Sequence, residues 1–178
     1  MDKRKEENLR VKKSITKALF RIMQDKSLSE ITITELIREA DVARASFYRN
    51  YSSKEDVLLT LIRDVLEQFR HDMVEGPYGI YTYENILLSF QYFERYKTYA
   101  LDLYRSGFGV AILEEINHFH ESVEGTMPSS STEKYTLYMY TGALFNTAIT
   151  WLREEKPAFP QDIAACFFKE VSKFLGIE

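Results

Sequence analysis

Apolar residues in this chain return every three or four positions, almost without interruption. Val11, Ile15, Ala18, Leu19 and Ile22 set the pattern. That spacing follows the turn of an α-helix and not the two-residue alternation of a strand. Only four prolines and seven glycines stand among the 178 residues to break it. An all-α fold of about nine helices follows. No apolar run approaches the ~18 residues of a membrane span, and MDKRKEENLRVKK has no apolar segment behind it, so neither a membrane partner nor a secretory leader is expected. The single cysteine, Cys166, forbids an internal disulfide and a cysteine-built zinc site. A cytoplasmic setting is the expectation.

The N-terminal third is organised differently from the rest. A first helix is expected at 6–25. Thr32 and Glu35 then form a T-x-x-E capping box, in which the threonine hydroxyl accepts a first-turn N–H and the glutamate reaches back. Behind it Ile33, Leu36, Ile37 and Ala40 make one face of a short helix at 33–40. Asp41 interrupts, a residue that tolerates left-handed backbone better than most. A third short helix follows at 43–49. Ser53 sits where a cap belongs, and Leu58, Leu61, Ile62, Val65, Leu66 and Phe69 trace a fourth helix to Met73, ended by Gly76-Pro77.

Two short helices across a tight turn are a helix-turn-helix. Ala40, Val42 and Phe47 are the candidates to brace the pair. Arg44, Ser46, Tyr48, Arg49 and Asn50 then point away from it. All of them can hydrogen-bond, and arginine is the commonest bidentate reader of guanine. The charge is split to match. Residues 1–60 carry 13 Lys/Arg against 10 Asp/Glu, while the remainder carries 10 against 17. The first segment can attract a polyanion and the second repels one. The helix pair sets a DNA-binding domain at 1–52, and the remainder, 53–178, is expected to face solvent, a small ligand or another protein, the place for an effector-binding and dimerisation domain.

The stretch TITELIREADVARASFYRNYSSKEDVLLTLI resembles the DNA-binding segment of the TetR family of bacterial transcription regulators. Thr32 matches the capping threonine, Leu36 the isoleucine, and Ala40 and Val42 the turn. Ser46 stands at the hydroxyl position, Tyr48 at the tyrosine, Tyr51 at the packing aromatic, and Ser53-Lys54-Glu55 at the start of the fourth helix. Asp41 stands in place of the family's turn glycine and Ala43 in place of a capping serine. The resemblance implies that the third helix enters the major groove of double-stranded DNA, with Arg44 and Ser46 nearest the bases. Tyr48, Lys54 and Thr34 are implied as phosphate contacts, with Thr32 beside them. Arg49 is left between base and backbone. Phe47 and Tyr51 are expected in the core. Lys3-Arg4-Lys5 either brushes DNA or is a solvated terminus.

The second half shows no catalytic arrangement and no phosphate loop, so neither an enzyme nor a cofactor is expected. Cys166, between Ala164-Ala165 and Phe167-Phe168, is read as a small core residue. His118 and His120 lie two apart, on different sides of a helix, each with a carboxylate four residues away (Glu114 and Glu124). They are read as surface pairs and not as a metal site. Met127-Pro128 and Ser129-Ser130-Ser131 are read as linker and cap. Ten of the twelve tyrosines fall after residue 60. Such rings either enclose a small-molecule effector, with Phe90, Phe93, Tyr104, Tyr138 and Phe145 as candidate lining, or simply fill the core.

Two final helices, at 132–154 and 161–175, carry apolar residues on both flanks and so need two packing partners. A second copy is the natural one, with Gly142-Ala143 permitting close approach, and the family resemblance implies such a homodimer. A two-fold pair would read a palindromic operator. The expected function is a transcriptional repressor released from DNA by a small ligand. The alternative is a DNA-bound adaptor whose C-terminal half recruits a partner protein. A third, a plain helical dimer, predicts no DNA affinity.

Overall fold

The computed structural model describes residues 3–75, 79–125 and 132–176. The expected stop at Gly76-Pro77 and the linker at 127–131 lie outside them. Every regular element among the described residues is helical, and the chain divides into two compact units, Met1–Arg63 and Asp64–Glu178.

In the first unit the helices start and stop where side-chain chemistry lets them. Helix α1 spans Lys3–Ile22, and a turn at Leu28–Glu30 leads to α2, Ile33–Glu39. The Thr32 hydroxyl accepts from the Glu35 N–H at 3.1 Å, satisfying one of the donors a helix start leaves open. The Glu35 carboxylate lies below its ordinary pKa, chiefly because the Lys26 ammonium donates to it at 2.6 Å. Helix α3 spans Arg44–Asn50 and α4 spans Lys54–Asp72, whose first turn is capped by the Ser53 hydroxyl accepting from the Asp56 N–H at 3.1 Å. Ile15, Leu19, Leu36, Phe47 and Leu58 are fully buried and form the centre of this unit.

The turn between α2 and α3 is made by Asp41 at φ 51, the only non-glycine residue with positive φ among those described. An L-residue there is held in a conformation that glycine adopts more easily. Of the expected braces, Phe47 and Ala40 are buried, while Val42 is half-buried.

The second unit takes the far half of α4 and adds α5 (Tyr83–Arg95), α6 (Lys97–Leu103), α7 (Gly109–Glu124), α8 (Glu133–Leu152) and α9 (Pro160–Leu175). Helix α5 packs chiefly against α9, and α7 against α8. At its centre Phe90 meets Trp151 and Phe167 edge-on, with ring centroids 5.7 and 5.8 Å apart. A second cluster joins Phe69 of α4 to Tyr92 and Phe119. The end of α4 is clasped to α5 by polar contacts. Tyr92 Oη donates to Asp72 at 2.6 Å, and buried Asn85 accepts from the Val74 N–H while donating to the carbonyls of Val74 and Gly79. Burial, first, and then the Asp72 carboxylate push the Tyr92 phenol up to about 12. Between α6 and α7 the chain kinks within Tyr104–Phe108, where Gly107 leaves helical geometry at φ 83.

Two expectations are corrected here. Cys166 is exposed, not core. Its apolar sequence neighbours are not its spatial ones: α9 turns Ala164 and Phe167 inward, which carries Cys166 outward with Ala165. His120 is not a surface residue paired with Glu124. It is buried, and its Nδ1 lies 2.8 Å from Thr141 Oγ1. The Thr141 hydroxyl donates to the Leu137 carbonyl at 3.0 Å, which leaves its oxygen to accept from Nδ1–H. Burial drives the His120 pKa down to about 3. His118 is exposed, because two positions on a helix point to different sides.

Candidate nucleic-acid interface

Helix α3 is seven residues long and has one inward side chain that fixes it. Phe47 is 0% exposed, and Tyr51 just beyond the helix is also buried, its ring 5.9 Å from that of Phe47. Both are core, as expected. Helical geometry places Ala45 and Arg49 opposite Phe47, with Arg44 and Tyr48 on its flank, and all four are exposed.

The outward groups are not equivalent. The Arg44 guanidinium lies over the Tyr48 ring, 5.3 Å from its centroid, and Nη2 donates to Tyr48 Oη at 3.3 Å. The Tyr48 ring in turn stands edge-on to Phe47, with centroids 5.3 Å apart. Arg49 has neither hydrogen-bond nor ring partner among the described residues. Ser46 is half-buried, and its carbonyl accepts from Asn50 Nδ2 at 2.9 Å, so Asn50 folds back on its own helix. Ala45, three and four residues before Tyr48 and Arg49, is exposed beside them.

Around α3 the other expected contacts take separate roles. Thr32 and Thr34 are exposed at the start of α2, and the Thr32 hydroxyl still has its proton to donate. Lys54 is half-buried, and its ammonium donates to the carbonyls of Ser29 and Ile31 at 3.2 and 2.6 Å. It ties the start of α4 to the turn before α2. Ala43, at the N-cap of α3, makes no side-chain cap.

In the second unit the five ring candidates do not converge on one place. Phe93 and Tyr104 both face Phe145, at 6.4 and 6.3 Å. Phe90 is enclosed by Trp151 and Phe167. Tyr138 donates to the Glu121 carboxylate, with the Lys134 ammonium 5.1 Å from its ring centroid. Among the described residues no group of His, Cys, Asp and Glu is placed to hold a metal, and no helix is long and apolar enough to cross a membrane.

Residues 15–61 match the model of the bacterial regulatory proteins of the tetR family. Solved structures resemble the chain along nearly its whole length. A TetR transcriptional regulator from Streptococcus agalactiae 2603V is 20% identical, with 94% of this chain and 97% of that one covered at a TM-score of 0.64. Lin0861 from Listeria innocua is 15% identical over 98% and 94%, with a TM-score of 0.74. The dihydroxyacetone kinase operon activator DhaS is 15% identical over 94% and 97%, with a TM-score of 0.61. At such identities the likeness is one of fold. The family match falls on the unit that carries the braced α2–α3 pair and the outward face of α3. Residues 15–61 thus match the tetR model of bacterial regulatory proteins, and the fold along nearly the whole chain is that of a solved TetR transcriptional regulator.

Proposed function

We propose that two copies of this chain bind a palindromic operator, one α3 in the major groove of each half-site, and that a small molecule in the second unit releases them, so that the protein is a repressor. The observation that carries the DNA contact is that α3 buries Phe47 wholly and leaves Arg44, Tyr48 and Arg49 exposed around the rest of its circumference. A major groove about 12 Å wide admits one such helix. Arg44 and Ser46 stand nearest the bases, and the methyl of Ala45 suits the methyl of a thymine. Arg49, Thr34 and Thr32 supply phosphate contacts, which position the protein without reading sequence. Lys54 contributes charge more than reach, since its ammonium is engaged by two carbonyls.

Release follows from linkage. Helix α4 runs unbroken from Lys54 to Asp72 and contributes to both units. Its last residue, Asp72, accepts from Tyr92, and the chain just beyond it is held by Asn85, so a shift of α5 must move that end. A ligand that favours an arrangement unsuited to the operator lowers DNA affinity by the ratio of its own affinities for the two arrangements, and DNA lowers ligand affinity equally. The rings of Phe93, Tyr104 and Phe145, beside the kink at Tyr104–Phe108, are the best candidates for its site.

A second reading, recruitment of a partner protein in place of a ligand, is favoured by the packed rings around Phe90 together with the exposure of Tyr104, Val110 and Phe159.

The deciding experiment is a random-oligonucleotide selection on the purified protein. Enrichment of a palindrome with half-site centres about 34–36 Å apart, or a multiple of that, is expected. Absence of salt-sensitive binding to any duplex would reject DNA recognition and leave the plain helical dimer.

A further inference from the structure

We propose, on the premise that α3 enters the major groove as above, that Arg44 and Tyr48 form one reading unit for a single guanine in each half-site, with Tyr48 as the residue that aims the guanidinium. Arg44 and Arg49 carry the same charge and are both exposed on α3, yet only Arg44 is held. Its guanidinium lies over the Tyr48 ring and donates to the Tyr48 hydroxyl. That ring is itself fixed edge-on against Phe47, which is buried in the core. The chain of contacts runs from the core through a rigid ring to the arginine.

The difference matters because an arginine side chain loses rotamer freedom when it binds. A guanidinium already placed in its bound direction loses less, and so discriminates better. Bidentate donation to guanine O6 and N7 demands a fixed fork, whereas a phosphate accepts one from many directions. Arg44 is therefore the base reader and Arg49 the backbone contact. Arg44 still has donors beyond the one given to Tyr48, enough for both guanine acceptors. Tyr48 acts through Arg44 and need not touch DNA.

The test uses the full-length protein and duplexes bearing each of the four base pairs at every half-site position, with affinity read by fluorescence anisotropy at one salt concentration. Wild type should prefer G·C at one position by roughly tenfold or more. Arg44→Ala should abolish that preference. Tyr48→Phe, which keeps the ring on Phe47, should cut it by about threefold or more at that position and leave the other positions unchanged, the signature of a lost positioning contact. In the Arg44→Ala background Tyr48→Phe should change no base preference. A melting curve of Tyr48→Phe matching wild type would show that folding is not the cause. Uniform weakening by Tyr48→Phe across all duplexes would overturn the proposal and make the phenol a phosphate contact. Persistence of the guanine preference in Arg44→Ala would overturn it as well. Binding by wild type to no duplex at all would overturn the DNA role of α3 itself, a separate failure.

Discussion

The outward side of α3 and the outward sides of α8 and α9 are both helix faces that the folded chain leaves in water, and they are opposite in chemistry. On α3 the exposed groups are Arg44, Tyr48 and Arg49, with Ala45 between them. On α8 and α9 they include Tyr135, Met139, Ala143, Ala165, Cys166 and Phe174, with Met139 and Phe174 at 55% and 58% exposure, an apolar set that on α9 is interleaved with Lys169, Glu170 and Lys173. A cationic face costs little in water and gains from a polyanion by releasing its counterions, so its binding falls with salt. An apolar face gains by leaving water, at about 1.5–3 kcal/mol for each large side chain fully covered, and is nearly indifferent to salt. One protein thus presents two surfaces that call for partners of different kinds, and the two can be broken separately.

The largest effect is expected inside α3. Phe47→Ala should destabilise the first unit by about 3–5 kcal/mol, because it empties a fully enclosed site. Thermal unfolding followed by circular dichroism would show it, and DNA binding would be lost with the fold. Its neighbour Tyr48→Phe should leave the melting temperature unchanged. Equal damage from both would mean that α3 has no separate outer face.

Next comes the apolar surface. If α8 and α9 meet their counterparts in a second copy, Met139→Glu combined with Phe174→Glu should split the dimer by placing four carboxylates in one apolar contact. Analytical ultracentrifugation should then report a monomer. Affinity for a palindrome should drop by at least ~100-fold, since two linked heads bind as one, while affinity for a single half-site should not change. A variant that remains dimeric would move the interface elsewhere.

The third test separates the units by pH. His120 is neutral in the folded protein down to a pKa of about 3, against an ordinary value near 6.5. Its folded pKa lies below its unfolded one, so the unfolded chain takes up the proton first as pH falls. Stability is complete above about pH 6.5 and declines as pH drops towards 3. Between pH 7.5 and 5.5 the loss from this group is about 1.4 kcal/mol. Urea unfolding at the two pH values should show it in wild type, and His120→Gln should lack that part of the change. The same slope in both proteins would place its origin in other groups.

Much of this was legible in the amino-acid sequence, and the lapses share a cause. Helices α2 and α3 could be placed because a cap and a three-to-four spacing are local, and Thr32 and Phe47 behave as that logic requires. Cys166 and His120 went the other way because one helical step decides whether a residue faces in or out, and the identity of neighbours along the chain does not report it. Asn50 looked outward by type but folds back on the Ser46 carbonyl, a choice that only the three-dimensional backbone reveals. The carbonyls that hold the Lys54 ammonium could not be read locally, because they lie more than twenty residues earlier. Ring candidates in the second unit separated for the same reason: aromatic content is a sequence property, convergence is not.

The smallest effect is the most local. Helix α3 begins at Ala43 with extended backbone, φ −68 and ψ 144, the geometry of an N-cap, but alanine has no oxygen to accept a first-turn N–H. Ser46 and Phe47 give their N–H groups to the Ala43 carbonyl at 2.9 and 3.1 Å, which leaves the N–H groups before them without that partner. Ala43→Ser should therefore stabilise the first unit by about 1 kcal/mol. The gain should appear in the melting temperature whether or not DNA is present. If Ala43→Ser also raises affinity for every duplex alike, the new hydroxyl reaches a phosphate as well as the helix end, and the loss of that contact in the natural sequence places more of the binding on Arg44 and Arg49. If stability does not change at all, the start of α3 is already satisfied by water, and the cationic face rests on Phe47 alone.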